Sequence, residues 1–348
     1  MTHSTSRRRL LLGGAALGAG AVLTACTSNE AEPNDAQIKD ADGDNANAQA
    51  GKQVTIGFSA PAADHGWIAA ITNNAKAQAE SFSDVEFKTV EAGVDAAAQL
   101  AALRTLIAEK PDVIVLLPHD GKELNAFGLE AMKAGIPVVN LDRAFPDAKA
   151  YRLQIKGDNY GMGVSAANYI VEQLKAKNVA NPVIAEIAGM DELELTQERT
   201  KGFNDTLAQN NFRVANRRAA RFTADTGQQE AAQLLRALPK IDALWNHDDD
   251  QGIGVLAAIN QANRKEFFMV GGAGSKAAIE AIKADDSVLK ATVTYSPSMA
   301  SSAISLARLI AQGRGMSDLV ELQVPKEIVL ASETITKANA DDYMRLGF

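Results

Sequence analysis

VIVLLPHDGKELNAFGLEAMKAGIPVVNLDR, residues 113–143, decides the fold class. Val113–Leu117 and Pro137–Leu141 are short runs that are apolar on both faces of a pleat. A strand of that kind is covered on both sides, as in a parallel sheet layered with helices. The stretch between them carries apolar residues at helical spacing, so the whole segment reads as one β-α-β unit. The same alternation extends in both directions. Val54–Phe58 and Val85–Phe87 read as earlier strands, and Leu100, Leu103, Leu106 and Ile107 form one helical face between strands.

The pattern then restarts. Strands are expected at Val183–Ala188, Arg213–Arg221, Ala243–Asn246, Phe267–Gly271 and Ala291–Thr294. Helices are expected at Gln197–Gln209, Gly227–Leu238, Gln251–Gln261, Lys276–Ala284 and Met299–Gln312. Two similar α/β halves imply two Rossmann-like lobes, each a parallel sheet flanked by helices, with a hinge and a cleft between them. Ligands of open parallel sheets bind beyond the carboxyl ends of the strands. The residues just after each strand therefore matter most.

Those residues are chemically distinctive. His65 and Trp67 follow the first strand, His119 and Asp120 the third, and Asp142 and Arg143 the fourth. In the second half Asp191 follows the first strand, Phe222 the second, His247 and Asp248 the third, and Tyr295 the last, while Arg199 lies on a helix. Carboxylates accept hydroxyl protons, guanidinium groups donate to hydroxyl oxygens, and aromatic faces cover the C–H side of a sugar ring. A polyhydroxy ligand needs all three. Asp249 and Asp250 sit at a helix start and read as dipole-favoured acids facing water.

Ile136-Pro137-Val138-Val139-Asn140-Leu141-Asp142-Arg143, Leu117-Pro118-His119-Asp120, Arg199-Thr200-Lys201-Gly202-Phe203 and Asn246-His247-Asp248-Asp249 together resemble the ribose-binding-like, type I periplasmic binding proteins of sugar ABC importers. The resemblance covers roughly residues 53 to 325. It implies that Trp67 and Phe222 stack on a sugar ring and that Asp142, Arg143, Arg199 and Asp248 form a polar grip. It also implies a monomeric protein that closes on a monosaccharide or polyol and delivers it to the membrane subunits of an ABC permease. A sensor signalling to a membrane kinase or chemoreceptor is the alternative on the same fold. Four positions depart from the family pattern: Ala273 stands where an Asp is usual, Asp248 and Tyr295 where Asn or Gln is common, and His65 where Asn is common.

The amino terminus reads as an export segment. Arg7, Arg8 and Arg9 precede a small, apolar run that ends in Leu23-Thr24-Ala25-Cys26. That run suits a signal-peptide core and is short for a membrane span. Its end resembles a bacterial lipobox, which places a lipid on Cys26, the sole cysteine, and anchors the protein to the outer face of the cytoplasmic membrane. Ser6–Leu11 also resembles a twin-arginine signal. Residues 26–51 are polar, with Ile38 the one large aliphatic residue, and read as a flexible tether. The lobes are expected at 52–156 plus 297–325 and at 157–296 plus 326–348, with crossings near 156–158, 295–297 and 324–326.

Several functions are excluded. The formal net charge is −8, and removing residues 1–25 leaves 32 basic against 43 acidic residues, a net −11 that disfavours nucleic acid. Gly271–Lys276 ends Gly-Ser-Lys and fails the phosphate-loop order, so a tight strand-to-helix turn explains it. Gly157–Gly163 does not form the dinucleotide fingerprint and reads as a lobe crossover followed by a capped helix. His65, His119 and His247 have no pair at i, i+4 spacing, so no metal site or other cofactor is expected. Nothing specifies a nucleophile, and no enzyme activity is expected.

Overall fold

The computed structural model describes residues 47–90, 92–317 and 319–348. The export segment, Cys26 and most of the tether lie outside the described residues.

The first lobe opens with β1 (Val54–Ser59), α1 (Gly66–Glu80), β2 (Val85–Thr89), α2 (Ala96–Ala108), β3 (Val113–Leu116), α3 (Gly121–Lys133), β4 (Val138–Leu141) and β5 (Leu153–Gly157). The second comprises α4 (Asn159–Ala176), β6 (Ile184–Ala188), α5 (Glu194–Gln209), β7 (Val214–Ala219), α6 (Ala224–Ala237), β8 (Ala243–Asn246), α7 (Asp249–Gln261), β9 (Phe268–Ala273), α8 (Lys276–Ala284) and β10 (Leu289–Thr294). The chain ends with α9 (Met299–Ala311), β11 (Glu327–Leu330), β12 (Thr334–Thr336) and α10 (Ala340–Tyr343).

Each lobe holds one six-stranded sheet, ordered β11-β5-β4-β3-β1-β2 and β12-β10-β9-β8-β6-β7. Every pairing is parallel except β10 with β12. All four residues of β3 and all four of β4 are buried, which is why both read as continuous apolar runs. Asn140 is the polar member of β4, and both ends of its amide are engaged. It donates to the Arg143 carbonyl at 3.1 Å and accepts from Phe145 N–H at 2.8 Å and from Gln154 Nε2 at 2.7 Å.

Aspartates at strand ends start the helices. Asp95, Asp120, Asp158 and Asp248 each accept backbone N–H groups of α2, α3, α4 and α7, the groups a helix start leaves without partners. A strand-end carboxylate in this fold is thus positioned by the helix it caps.

The lobes exchange chain three times. β5 leads into α4, which packs on α5 of the second lobe, and β10 returns through Tyr295 to α9, which packs on α1 and β3 of the first. β11 then pairs with β5, from Glu327↔Gln154 to Leu330↔Gly157, before β12 joins the second sheet. The third crossing therefore lies beyond Leu330, past the expected 324–326. β11 is an edge strand with alternating exposure, which leaves only a weak apolar signal. One continuous apolar cluster joins the lobes, running from Ile56, Ile68 and Ala303 through Trp67 and Tyr295 to Met162, Ala166 and Trp245.

The chain is held from residue 47 onward, earlier than the expected tether boundary at 51. Arg308 of α9 donates to the carbonyls of Asn47 and Gln49, each at 2.7 Å, and pairs with Asp84 through Nε at 2.7 Å and Nη2 at 2.6 Å. That guanidinium holds the Asp84 carboxyl well below the usual carboxylate range.

Candidate functional site

The carboxyl ends of both sheets face a common cleft. On the first-lobe side Asp142 adopts φ 64°, the left-handed region that non-glycine residues seldom occupy. The backbone turns there, and both Asp142 and Arg143 line one cavity although they are adjacent in sequence. The Arg143 guanidinium donates through Nη1 to the His119 carbonyl and more distantly, at 3.5 Å, to that of Pro118. Its Nε is buried without a partner. Asp142 accepts a hydrogen bond from the Tyr295 hydroxyl. His65 and Trp67 come from the β1–α1 connection. The His65 ring pairs with Asp64, and the Trp67 indole N–H donates to the Tyr295 carbonyl at 2.8 Å.

On the second-lobe side Arg199 is 4% exposed. Its Nε donates to Asn159 Oδ1 at 3.0 Å and its Nη1 to the His247 carbonyl at 3.3 Å. Its guanidinium lies 4.4 Å from the Tyr295 ring centre and 5.9 Å from that of Phe222. Among the described residues, neither Arg143 nor Arg199 has a carboxylate within the 4.0 Å of an ion pair. Phe222 also has φ 64° and lies directly over Gly189, where an added Cβ would come within 1.9 Å of its ring. A side chain at 189 would expel this ring from the cleft. Phe222 in turn faces His65 of the other lobe, with ring centres 6.2 Å apart.

The cavity between these groups has about 330 Å³ of empty space, including its mouth. It is lined by His65, Trp67, Asp142, Arg143, Leu195, Arg199, Phe222, Asp248, Ala273 and Tyr295. An adjoining cavity of about 420 Å³ shares Asp142, Arg143 and Leu195 and adds Asp120, Lys156, Asn159 and Glu198.

Burial dominates the electrostatics. It pushes the Asp142 carboxyl up, against the pull of Arg143 and the Tyr295 hydroxyl. It raises Asp248 to about 6, opposed by His65 and assisted by Asp250. Burial also opposes charge on His65, but the hydrogen bond to Asp64 and the fields of Asp248 and Asp250 outweigh it and raise its pKa. The result is an open-mouthed pocket with two cations that donate, two carboxyl groups that accept, and aromatic faces between them. That set matches a compact ligand bearing both donors and acceptors on one skeleton.

Eight of the sequence-derived candidates line the cavity: His65, Trp67, Asp142, Arg143, Arg199, Phe222, Asp248 and Tyr295. Two do not. The His119 ring is absent from the lining, and this residue acts through its carbonyl, which holds Arg143. Asp120 caps α3, accepting from Lys122 and Glu123 N–H, and lines only the adjoining cavity. Leu195 was not anticipated, and Ala273, noted in the sequence only as a departure from the family pattern, lines the cavity as well.

The reading of Asp249 and Asp250 as water-facing acids is corrected. Asp249 is buried and accepts from the N–H groups of Gly272, Gly274 and Ser275 and from Thr292 Oγ1, at 2.8–3.0 Å. The glycine-rich turn after β9 thus cradles an internal carboxyl, which burial pushes up to about 8, and this accounts for its phosphate-friendly look. Asp250 reaches the other lobe and accepts from Trp67 N–H at 2.9 Å. His247 is also buried. It stacks on Trp245 at 4.0 Å and bonds Glu186 at 2.9 Å, beneath the cleft wall. Among the described residues no group of three or more His, Cys, Asp or Glu side chains is placed to hold a metal ion.

Two α/β lobes joined by three crossings, with convergent polar groups and aromatic faces between their strand ends, define a solute-binding protein. The chain belongs to the periplasmic binding protein domain family, whose sequence profile matches residues 56–315. It is similar to the ribose import binding protein of Bacillus subtilis (strain 168), with 28% identity over 248 residues, 71% of this chain and 78% of that one. It is also similar to the galactofuranose-binding protein YtfQ of Escherichia coli (strain K12), with 27% identity over 218 residues, 61% of this chain and 67% of that one. A crystal structure from Mycobacterium smegmatis in complex with beta-D-fucofuranose matches with a TM-score of 0.75 and 26% identity, over 84% of this chain and 94% of that one. The protein binds a solute and is not an enzyme.

Proposed function

We propose that the protein is an exported lipoprotein that captures a sugar or polyol between its lobes and presents the closed complex to an ABC permease. The observation that carries this reading is the pairing of two ion-pair-free arginines with Asp142 and Asp248 around one small, aromatic-walled cavity. In this reading the carboxylates accept ligand hydroxyl protons, Arg143 and Arg199 donate to ligand oxygens, and Trp67 and Phe222 cover the C–H faces. The ribose, galactofuranose and fucofuranose named for the relatives belong to the same chemical class. Only the closed form engages both walls, so ligand shifts the lobes towards closure. Cys26 carries the diacylglycerol.

The test is a thermal-shift screen of monosaccharides, alditols and sugar acids, followed by calorimetric titration of the hits. A stoichiometric sugar or polyol complex is the expected result, and exclusive binding of another class overturns the reading. For the anchor, Cys26→Ser should release the protein from the membrane fraction or leave it unprocessed, and unchanged attachment would refute it.

A further inference from the structure

Tyr295 departs from the family pattern, and its surroundings show what it does. It follows β10 at the point where the chain returns to the first lobe. Its backbone N–H donates to the Ala273 carbonyl at 3.0 Å, and its carbonyl accepts from the Trp67 indole at 2.8 Å. The ring is wedged between the Arg199 guanidinium and Gly157, the last residue of β5, where an added Cβ would come within 2.1 Å of Cε2. At 5% exposure, held by both lobes, it is fixed furniture of the cleft. Its hydroxyl donates to Asp142 Oδ1, so one acceptor of a cavity carboxylate is already taken by the protein itself.

We propose that Tyr295 stands in for a ligand hydroxyl and closes the hinge end of the cavity, so that the preferred ligand is a pentose or a shorter polyol and hexopyranoses are rejected. This rests on the sugar-binding reading and narrows it. A hexopyranose carries polar groups all round its ring and needs partners at both ends of a site. Here the hinge end offers an aromatic face and a carboxylate oxygen already engaged. A hydroxyl pushed against the ring face loses water and gains no partner there, and Asp142 keeps only its other oxygen fully open to ligand. The partners left open lie elsewhere, among them the buried Arg143 Nε and the Asp248 carboxyl.

The experiment is calorimetric titration of the full mature chain with glycerol, erythritol, D-ribose, L-arabinose, D-glucose and D-galactose. It is repeated on Tyr295→Asn, which shortens the side chain and keeps a donor, and on Tyr295→Phe, which keeps the ring and loses the hydroxyl. The parent should bind its best pentose or shorter polyol at least about tenfold more tightly than either hexose. Tyr295→Asn should shrink or reverse that ratio, and Tyr295→Phe should keep the size discrimination. A parent that prefers a hexose overturns the size inference and leaves the sugar-binding reading standing. A folded Tyr295→Asn with the parent's ratio also overturns it, as does a Tyr295→Phe that has lost the discrimination. If Tyr295→Asn does not fold, the parent ratio and Tyr295→Phe decide. A parent that binds no sugar or polyol at all overturns the sugar-binding reading together with the inference.

Discussion

Asp250→Ala should weaken ligand binding although Asp250 does not line the cavity. Helix α1 starts without a side-chain cap, because the His65 ring is turned to Asp64. Its Trp67 N–H is instead satisfied by the Asp250 carboxylate from α7 of the other lobe, at 2.9 Å. The fit is close: a Cβ on Gly66 would lie 2.7 Å from Asp250 Oδ1. Parting the lobes breaks this bond, so its energy belongs to closure. A hydrogen bond to a charged group contributes about 1.5–3 kcal/mol, and the partial exposure of Asp250 places it near the lower end. Losing about 1.5 kcal/mol from closure makes the closed form about tenfold rarer in a protein that is mostly open without ligand, and the apparent Kd rises by the same factor. Asp250→Asn keeps an acceptor and loses the charge, so it should fall between parent and Asp250→Ala. Calorimetric titration measures the affinities, and small-angle scattering at one fixed, subsaturating ligand concentration should show a more open average shape for Asp250→Ala. Affinities within twofold of the parent for both variants would refute the cross-lobe cap.

Arg143→Ala removes two charge-assisted bonds to ligand and should weaken binding by about two to four powers of ten, read by titration beside an unliganded melting curve. Affinity within threefold of the parent would sink that role. Asp248 is held up to about 6 by burial, and ligand hydroxyls favour its ionised form, so affinity should fall as pH drops below about 6. The unliganded fold runs the other way, because a carboxyl raised above its ordinary 3.8 contributes stability that is full below that value and lost as pH rises through about 6. Asp248→Asn should flatten both profiles, and an unchanged pH dependence would refute the assignment. Trp245 is fully buried and absent from the cavity lining, so a ligand-induced change in tryptophan emission should come from Trp67 and vanish in Trp67→Ala.

The parts of the fold legible in the sequence were those whose burial is symmetric. β3, β4 and β8 are covered on both faces and show as short apolar runs, interrupted only by Asn140 in β4 and Asn246 at the end of β8, so their positions could be read closely. β11 and β12 could not be read, because an edge strand keeps one side wet and a short one offers little pattern. The cleft was legible because strand ends in such sheets converge, which brings Asp142 and Asp248 together from positions over a hundred residues apart. What sequence could not show was the direction in which neighbouring side chains point. Asp248, Asp249 and Asp250 are consecutive acids. One caps a helix at the cavity, one fills the nest after β9, and one crosses to the other lobe. The cue for Asp249 was present in Gly272-Ala273-Gly274, but it lies on a different strand, and only the register of β8 with β9 brings it near.

The Asp84–Arg308 clasp has a mechanical meaning. It lies just before β2, at the amino ends of the first sheet and so on the side opposite the cleft, and it grips the backbone at Asn47 and Gln49. A pull on the chain upstream of Asn47 is therefore transmitted into α9 and the edge of the first sheet, through a buried bidentate pair. The first lobe is thus the one that takes up such a pull, and the second is joined to it only through the three crossings and the cleft contacts.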